Sequence, residues 1–168
     1  MKEEQLLKVL CELMKNSRQS DRAIAEKLEV SQPTITRARA ELEKGYIKEY
    51  TVIPDFPKIG YEIMAITLVK SKASLSKEIR EKTLEEGKRW AKHQQNIAFG
   101  AMSYGMGMSA IAISFHKTFS DYIAFKRKLA ETWGSVLDLH ESLLVDMKHG
   151  QITKNFSFSC LTEDFDKR

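Results

Sequence analysis

The stretch Ser31-Gln32-Pro33-Thr34-Ile35-Thr36-Arg37-Ala38-Arg39-Ala40-Glu41-Leu42-Glu43-Lys44-Gly45 constrains the fold more than any other. It carries a start signal, a stop signal and a two-faced period within one helix length. Ser31 is a strong N-cap, because a serine hydroxyl can accept a hydrogen bond from an otherwise unpaired amide of the first turn. Pro33 stands where that turn has no amide to lose, and Gly45 follows the last apolar position as a C-cap would. Ile35, Ala38 and Leu42 share one face at i, i+3, i+7, which predicts that this face packs inward. Pro33, Thr36, Arg37 and Ala40 then point the other way, with Gln32 and Thr34 at the exposed N-terminal end. Such a free face, of short hydroxyls, an amide and an arginine, suits a DNA major groove. Hydroxyls reach phosphates and base edges, and arginine reaches guanine or phosphate.

The residues before this helix supply its support. Leu6, Val9, Leu10, Leu13 and Met14 recur at helical spacing over residues 3–16. The polar run Asn16-Ser17-Arg18-Gln19 breaks that helix. Ser20 caps a short second helix, which offers Ala23, Ile24, Ala25 and Leu28 to a core and places Asp21 near its positive end. Glu29-Val30 turns the chain into Ser31. Two helices joined by a tight turn, the second with a polar free face, make a helix-turn-helix. Glycine is the usual residue where such a turn needs a left-handed backbone, so Glu29 carries a small steric cost if it sits there. Arg18, Arg22 and Lys48 are candidate phosphate contacts at the helix ends and beyond. Taken singly, each is slightly better read as an ordinary solvated cation. Arg39, at the edge of the buried face, is read equally well as a structural ion pair with Glu41, Glu43 or the first helix.

Tyr46 to Ile53 is rich in β-branched and aromatic residues and predicts a strand, which would make the N-terminal part winged-helix-like. Pro54-Asp55-Phe56-Pro57 stops it, since neither proline can donate to a ladder. The domain division is accordingly 1–53, a linker 54–60, a second domain 61–148 and a tail 149–168. The second domain predicts strand 61–70, a charged helix 75–93, and strands 97–104 and 108–115 joined through Gly105-Met106-Gly107. An amphipathic helix 119–132 and a strand 136–147 complete it. This β-α-β-β-α-β order is the ferredoxin-like pattern, with helices on one side of an antiparallel sheet. The other side, where Ile111 and Ile113 alternate with small residues, must be exposed, covered by a partner or covered by the tail. A large bare apolar face is unusual for a monomer, so self-association is expected. In the tail, the alternation at 155–160 predicts a half-buried strand, and 163–168 a frayed end. The fold class is thus α+β.

Composition excludes several kinds of function. A net charge of +4 on 168 residues fits a local basic patch better than a polycation. Cys11 and Cys160 are too few and too far apart for a disulfide framework, and Cys11 reads as a small buried hydrophobe. His93, His116, His140 and His149 lack metal-ligand spacing, so no metal is expected. There is no nucleophile elbow, phosphate-binding loop or dinucleotide fingerprint, and no carboxylate pair sits where its pKa would rise. No enzyme activity and no cofactor are expected. The chain does not open on a signal peptide and holds no apolar run of spanning length, which points to a soluble cytoplasmic protein without membrane contact.

Taken together, the helix Ser31–Glu43, its exit Leu42-Glu43-Lys44-Gly45-Tyr46-Ile47-Lys48-Glu49-Tyr50 and the βαββαβ block resemble the Lrp/AsnC (feast/famine) family of transcriptional regulators, over nearly the whole chain to about residue 148. The resemblance implies a sequence-specific regulator of double-stranded DNA. It implies a C-terminal domain that dimerises through its sheets, often assembles further, and in many members binds an amino acid between subunits. Two positions depart from the family. Its members usually carry adjacent arginines in the recognition helix, where this chain has Arg37-Ala38-Arg39. Its Gly-x-Tyr-Asp hairpin segment is here Gly105-Met106-Gly107-Met108-Ser109, without the aspartate. A small-molecule effector therefore stays open, and free amino acids are expected to bind weakly or not at all. The near balance of charge in the first fifty residues keeps a second reading in view, an effector-binding or protein-assembly module whose helix-turn-helix does not bind DNA specifically.

Overall fold

The computed structural model describes residues 3–163, so residues 164–168 of the expected frayed end lie outside the described residues. The chain packs as two compact units, residues 1–53 with 154–168, and residues 54–153.

In the first unit three helices, α1 (Glu3–Lys15), α2 (Asp21–Lys27) and α3 (Gln32–Gly45), close around one apolar cluster. Leu6, Val9 and Leu13 from α1 meet Ile24 and Ala25 from α2 and Ile35, Ala38 and Leu42 from α3, each at most 5% exposed. Each large aliphatic side chain buried this way contributes about 1.5–3 kcal/mol of transfer free energy. Cys11 of α1 is buried as well. Glu12 fastens α1 to the end of α2. Its carboxylate accepts from Lys27 Nζ at 2.9 Å and Lys15 Nζ at 3.1 Å. Ser20 caps α2 by accepting from the Ala23 amide at 3.1 Å. Glu29 does take the left-handed backbone of the turn, at φ +53°.

Four details of this unit differ from the sequence reading. Ser31 stands at the N-cap position of α3, but its hydroxyl pairs with Thr34 Oγ1 at 2.8 Å instead of capping an amide. Gly45 is the last helical residue, and Tyr46, with right-handed backbone, closes the helix by donating to the Leu42 carbonyl. Residues 46–53 form no strand. The Tyr46 and Ile47 amides both turn back to Leu42 O, and a lone extended segment has no ladder to join. The alternation at 155–160 forms no strand either. The described part of the tail instead forms a 3₁₀ turn, Ser159–Thr162, that packs on α1 with Thr162 buried.

The second unit runs β1 (Ile63–Ser71), α4 (Lys77–His93), β2 (Ile97–Met102), β3 (Ala110–His116), α5 (Phe119–Trp133) and β4 (Leu137–Asp146). The strands form one antiparallel sheet in the order β2-β3-β1-β4. Both helices start at caps whose hydroxyls accept from the first turn, Ser76 for α4 and Thr118, in a reciprocal box with Asp121, for α5. The β2–β3 turn puts Gly105, Met106 and Gly107 at φ +115°, +52° and +70°, a path that demands glycine at its ends.

Register assigns the two faces of the sheet. Ile63 pairs with His116, Ala65 with Ser114 and Thr67 with Ala112, and the His116 ring meets Tyr122 and Phe125 of α5 at 5.5 and 5.2 Å. That is the covered face. The opposite face carries Ile66, Leu68, Ile111 and Ile113 beside Phe99 and Leu143. Phe56, from the segment before β1, stacks on Phe115 at 4.2 Å and shields one end of it. Phe99 and Leu143 remain 52% and 65% exposed.

Candidate nucleic-acid interface

The apolar period of α3 settles which side it shows to water. Ile35, Ala38 and Leu42 are completely buried, which leaves Ser31, Gln32, Pro33, Thr36, Arg37 and Ala40 exposed and Thr34 half-buried. The recognition set read from the sequence thus shares one helix surface. Arg37 has no ion-pair or hydrogen-bond partner among the described residues, so its guanidinium keeps its donors for a ligand.

The flanking cations divide. Arg18 and Lys48 are exposed and their charged ends are unpaired among the described residues. Arg22 is exposed but salt-bridged to Glu26 at 3.0 Å across one helical turn. An exposed i, i+4 pair of this kind is worth only a few tenths of a kcal/mol, so a phosphate can compete for Arg22. An open cleft of about 600 Å³ lies beside Arg18, lined also by Arg39, Glu43, Tyr50 and Val52.

Arg39 is structural, with a partner other than those expected. Its Nε donates to Asp21 Oδ1 at 2.7 Å and its Nη2 to the Gln19 carbonyl at 2.9 Å, which clamps α3 to the start of α2. Both side chains are only 20% exposed. Burial works against the Asp21 carboxylate, but hydrogen bonds from Thr36 and Arg39 outweigh it and hold its pKa below the ordinary value. Thr36 is therefore less free than its place on the helix wheel implied, because Asp21 Oδ2 accepts from its hydroxyl at 2.7 Å. Sequence reasoning credited Asp21 only with a favourable place near a helix dipole. The spacing of Asp21 from Thr36 and Arg39 holds no local period that would reveal the contact.

In the second unit the buried histidine is His116, whose Nε2 lies 2.9 Å from Ser114 Oγ. Burial lowers its pKa, with Asp121 opposing weakly. The β2–β3 hairpin carries glycine amides but no charged side chain between Gly105 and Ser109. Among the described residues no group of His, Cys, Asp and Glu is placed to hold a metal ion, and no helix is long and apolar enough to cross a membrane.

Comparison with known proteins places both units. Residues 2–48 match the family model for winged helix-turn-helix DNA-binding domains. The HTH-type transcriptional regulator PH0061 of Pyrococcus horikoshii is 44% identical over 69 residues, which cover 40% of this chain and 44% of that protein. A similar regulator of Pyrococcus abyssi is 42% identical over 67 residues, 39% of this chain and 43% of that one. The chain thus spans less than half the length of the curated relatives it matches. Solved structures extend the likeness to the whole fold. The PH0061 crystal structure superposes with a TM-score of 0.73 at 22% identity, over 94% of this chain and 97% of that one. AsnC of E. coli gives 0.70 at 15% identity, over 93% and 98%. A Neisseria meningitidis transcriptional regulator solved as an L-Met complex gives 0.74 at 14% identity, over 95% of each chain. The architecture, an N-terminal helix-turn-helix followed by an α/β domain with an antiparallel sheet, is that of the AsnC and Lrp structures.

Proposed function

We propose that this chain, a winged helix-turn-helix protein with the Lrp/AsnC fold, is a transcriptional regulator that docks α3 in the major groove and associates through its second unit. One observation carries the DNA reading. The exposed surface of α3 gathers Gln32, Thr36 and Arg37, with Arg37 unpaired and the half-buried Thr34 beside them, and its opposite surface is fully committed to the core. A helix locked on one side and polar on the other presents base-reading groups without reorganising. Arg18, Arg22 and Lys48 serve as phosphate contacts that fix register and carry no sequence information.

The test is duplex binding measured across salt concentrations. Phosphate contacts make the logarithm of affinity fall linearly with the logarithm of salt, whereas an assembly module with no nucleic-acid role shows no such slope. Arg37→Ala should cost on the order of 1–3 kcal/mol on the preferred duplex with the fold intact. An unchanged affinity removes Arg37 from the interface.

The second unit supports self-association. The uncovered sheet face with Ile66, Leu68, Ile111, Ile113, Phe99 and Leu143 is the surface on which a second copy would sit, and it would set the spacing of the two recognition helices. An amino-acid effector is disfavoured at the hairpin. A ligand ammonium needs a carboxylate or carbonyls, and leaving it buried and unpaired costs several kcal/mol. Calorimetry across the common amino acids checks this, and one tight binder overturns it.

A further inference from the structure

Thr36 lies in the middle of the exposed surface of α3, next to Arg37, and has one proton to donate. Two acceptors lie within reach, Asp21 Oδ2 at 2.7 Å and the Gln32 carbonyl at 3.2 Å. The nearer is an ionised carboxylate, and hydrogen bonds to a charged acceptor are about twice as strong as neutral ones. Asp21 is itself held in place. Arg39 Nε donates to its other oxygen at 2.7 Å while the Arg39 Nη2 grips Gln19 O. The hydroxyl proton of Thr36 therefore points back into the protein, toward α2. What the hydroxyl shows outward is lone pairs.

We infer that Asp21 makes Thr36 an acceptor-only reader, so that the base edge it meets in the major groove is one that carries an exocyclic amino group, adenine N6 or cytosine N4. The inference rests on α3 lying in the major groove and goes beyond it by naming which bases Thr36 selects and why. In that groove guanine and thymine offer acceptors where adenine and cytosine offer amino donors. A freely rotating hydroxyl serves either kind of edge and discriminates little. One whose proton is already spent meets guanine O6 or thymine O4 lone pair to lone pair. Asp21 touches no base and is a positioning residue, whereas Thr36 is the specificity-determining one.

The same geometry predicts how the preference can be loosened. In Asp21→Asn the amide must turn its oxygen to Arg39 Nε, which can only donate. Its amino group then faces Thr36. The hydroxyl accepts from that group, and its proton, no longer held by a carboxylate, is shared between the neutral Gln32 carbonyl and an acceptor outside, guanine or thymine.

Selection of bound duplexes from a random-sequence pool, with the full chain, tests this. The native protein should show one operator position with adenine and cytosine preferred over guanine and thymine by on the order of tenfold. Thr36→Ser should keep that preference and Thr36→Val should flatten it at that position alone. Asp21→Asn should weaken that preference and admit guanine and thymine at the same position. An identical base profile for Thr36→Val and the native protein overturns the inference, as does an unshifted profile for a folded Asp21→Asn. Should Asp21→Asn prove unfolded by circular dichroism, the two Thr36 variants still decide. The salt slope of total duplex affinity separates the Thr36 assignment from groove binding. A steep slope without the predicted base preference rejects the Thr36 assignment alone, and no slope rejects groove binding itself.

Discussion

The two units bury apolar surface in different ways. In the helix-turn-helix unit eight core side chains from three helices are almost wholly removed from water. In the second unit α4 has no fully buried residue, and large apolar groups on the open sheet face, Phe99 and Leu143 among them, stay more than half exposed. Three short helices can enclose a core on all sides. A single sheet with helices on one side covers half of its own apolar surface and leaves the other half for something else. One unit is thus closed on itself, and the other leaves an apolar face open.

The sharpest way to break this contrast is to damage the closed core and watch both units melt. Leu42 is fully buried, and Leu42→Ala should destabilise the first unit by about 2–5 kcal/mol. Both tryptophans, Trp90 and Trp133, belong to the second unit. Helical circular dichroism should therefore show an earlier transition while tryptophan fluorescence keeps its midpoint. Equal shifts in both signals would mean that the units unfold as one.

Leu143→Glu strikes the open face. It should leave the folded protomer nearly as stable, because the side chain is already exposed, yet weaken association by on the order of 2–3 kcal/mol. Light scattering at micromolar concentration should read at least a dimer for the native chain and a lower mass for the variant. A native monomer would mean that the open face is no association surface.

Acid should also tell the units apart. All four histidines lie in the second unit, and burial lowers the pKa of both His116 and His140, with Lys126 adding to the effect at His140. A histidine with a lowered folded pKa binds its proton more readily in the unfolded chain. Its stability contribution is full above the ordinary value of about 6.5 and is lost as pH falls below it, by at most about 1.4 kcal/mol per pH unit for each proton. The tryptophan-detected midpoint should fall from pH 7 toward pH 5.5, and His116→Gln should flatten part of that slope. The first unit, with no histidine, should stay level over the same range. The smallest effect is expected at Glu29, held at φ +53°. Glu29→Gly should raise the stability of the first unit by about 1 kcal/mol or less, seen as a later circular dichroism transition.

Sequence patterns alone determined the helix faces and the tight turns, though the alternation at 155–160 became no strand. Ile35, Ala38 and Leu42 mark the buried face of α3 because a helix brings i, i+3 and i+7 into line. The glycines around Met106 mark the hairpin because few other residues accept its backbone. The left-handed turn at Glu29 was legible from its place between the two helices and against its residue type. Where the outcome depends on a partner far along the chain, only the tertiary structure decided it. Tyr46 to Ile53 has the composition of a strand, but a strand exists only beside a ladder, and none pairs with it among the described residues. Ser31 has the chemistry of a cap, yet its hydroxyl found Thr34 closer. Above all, nothing in the sequence tells that Asp21 takes the proton of Thr36. Backbone periodicity sets which way a side chain points, and the three-dimensional packing of α2 against α3 sets which hydrogen-bonding atoms it has left to offer.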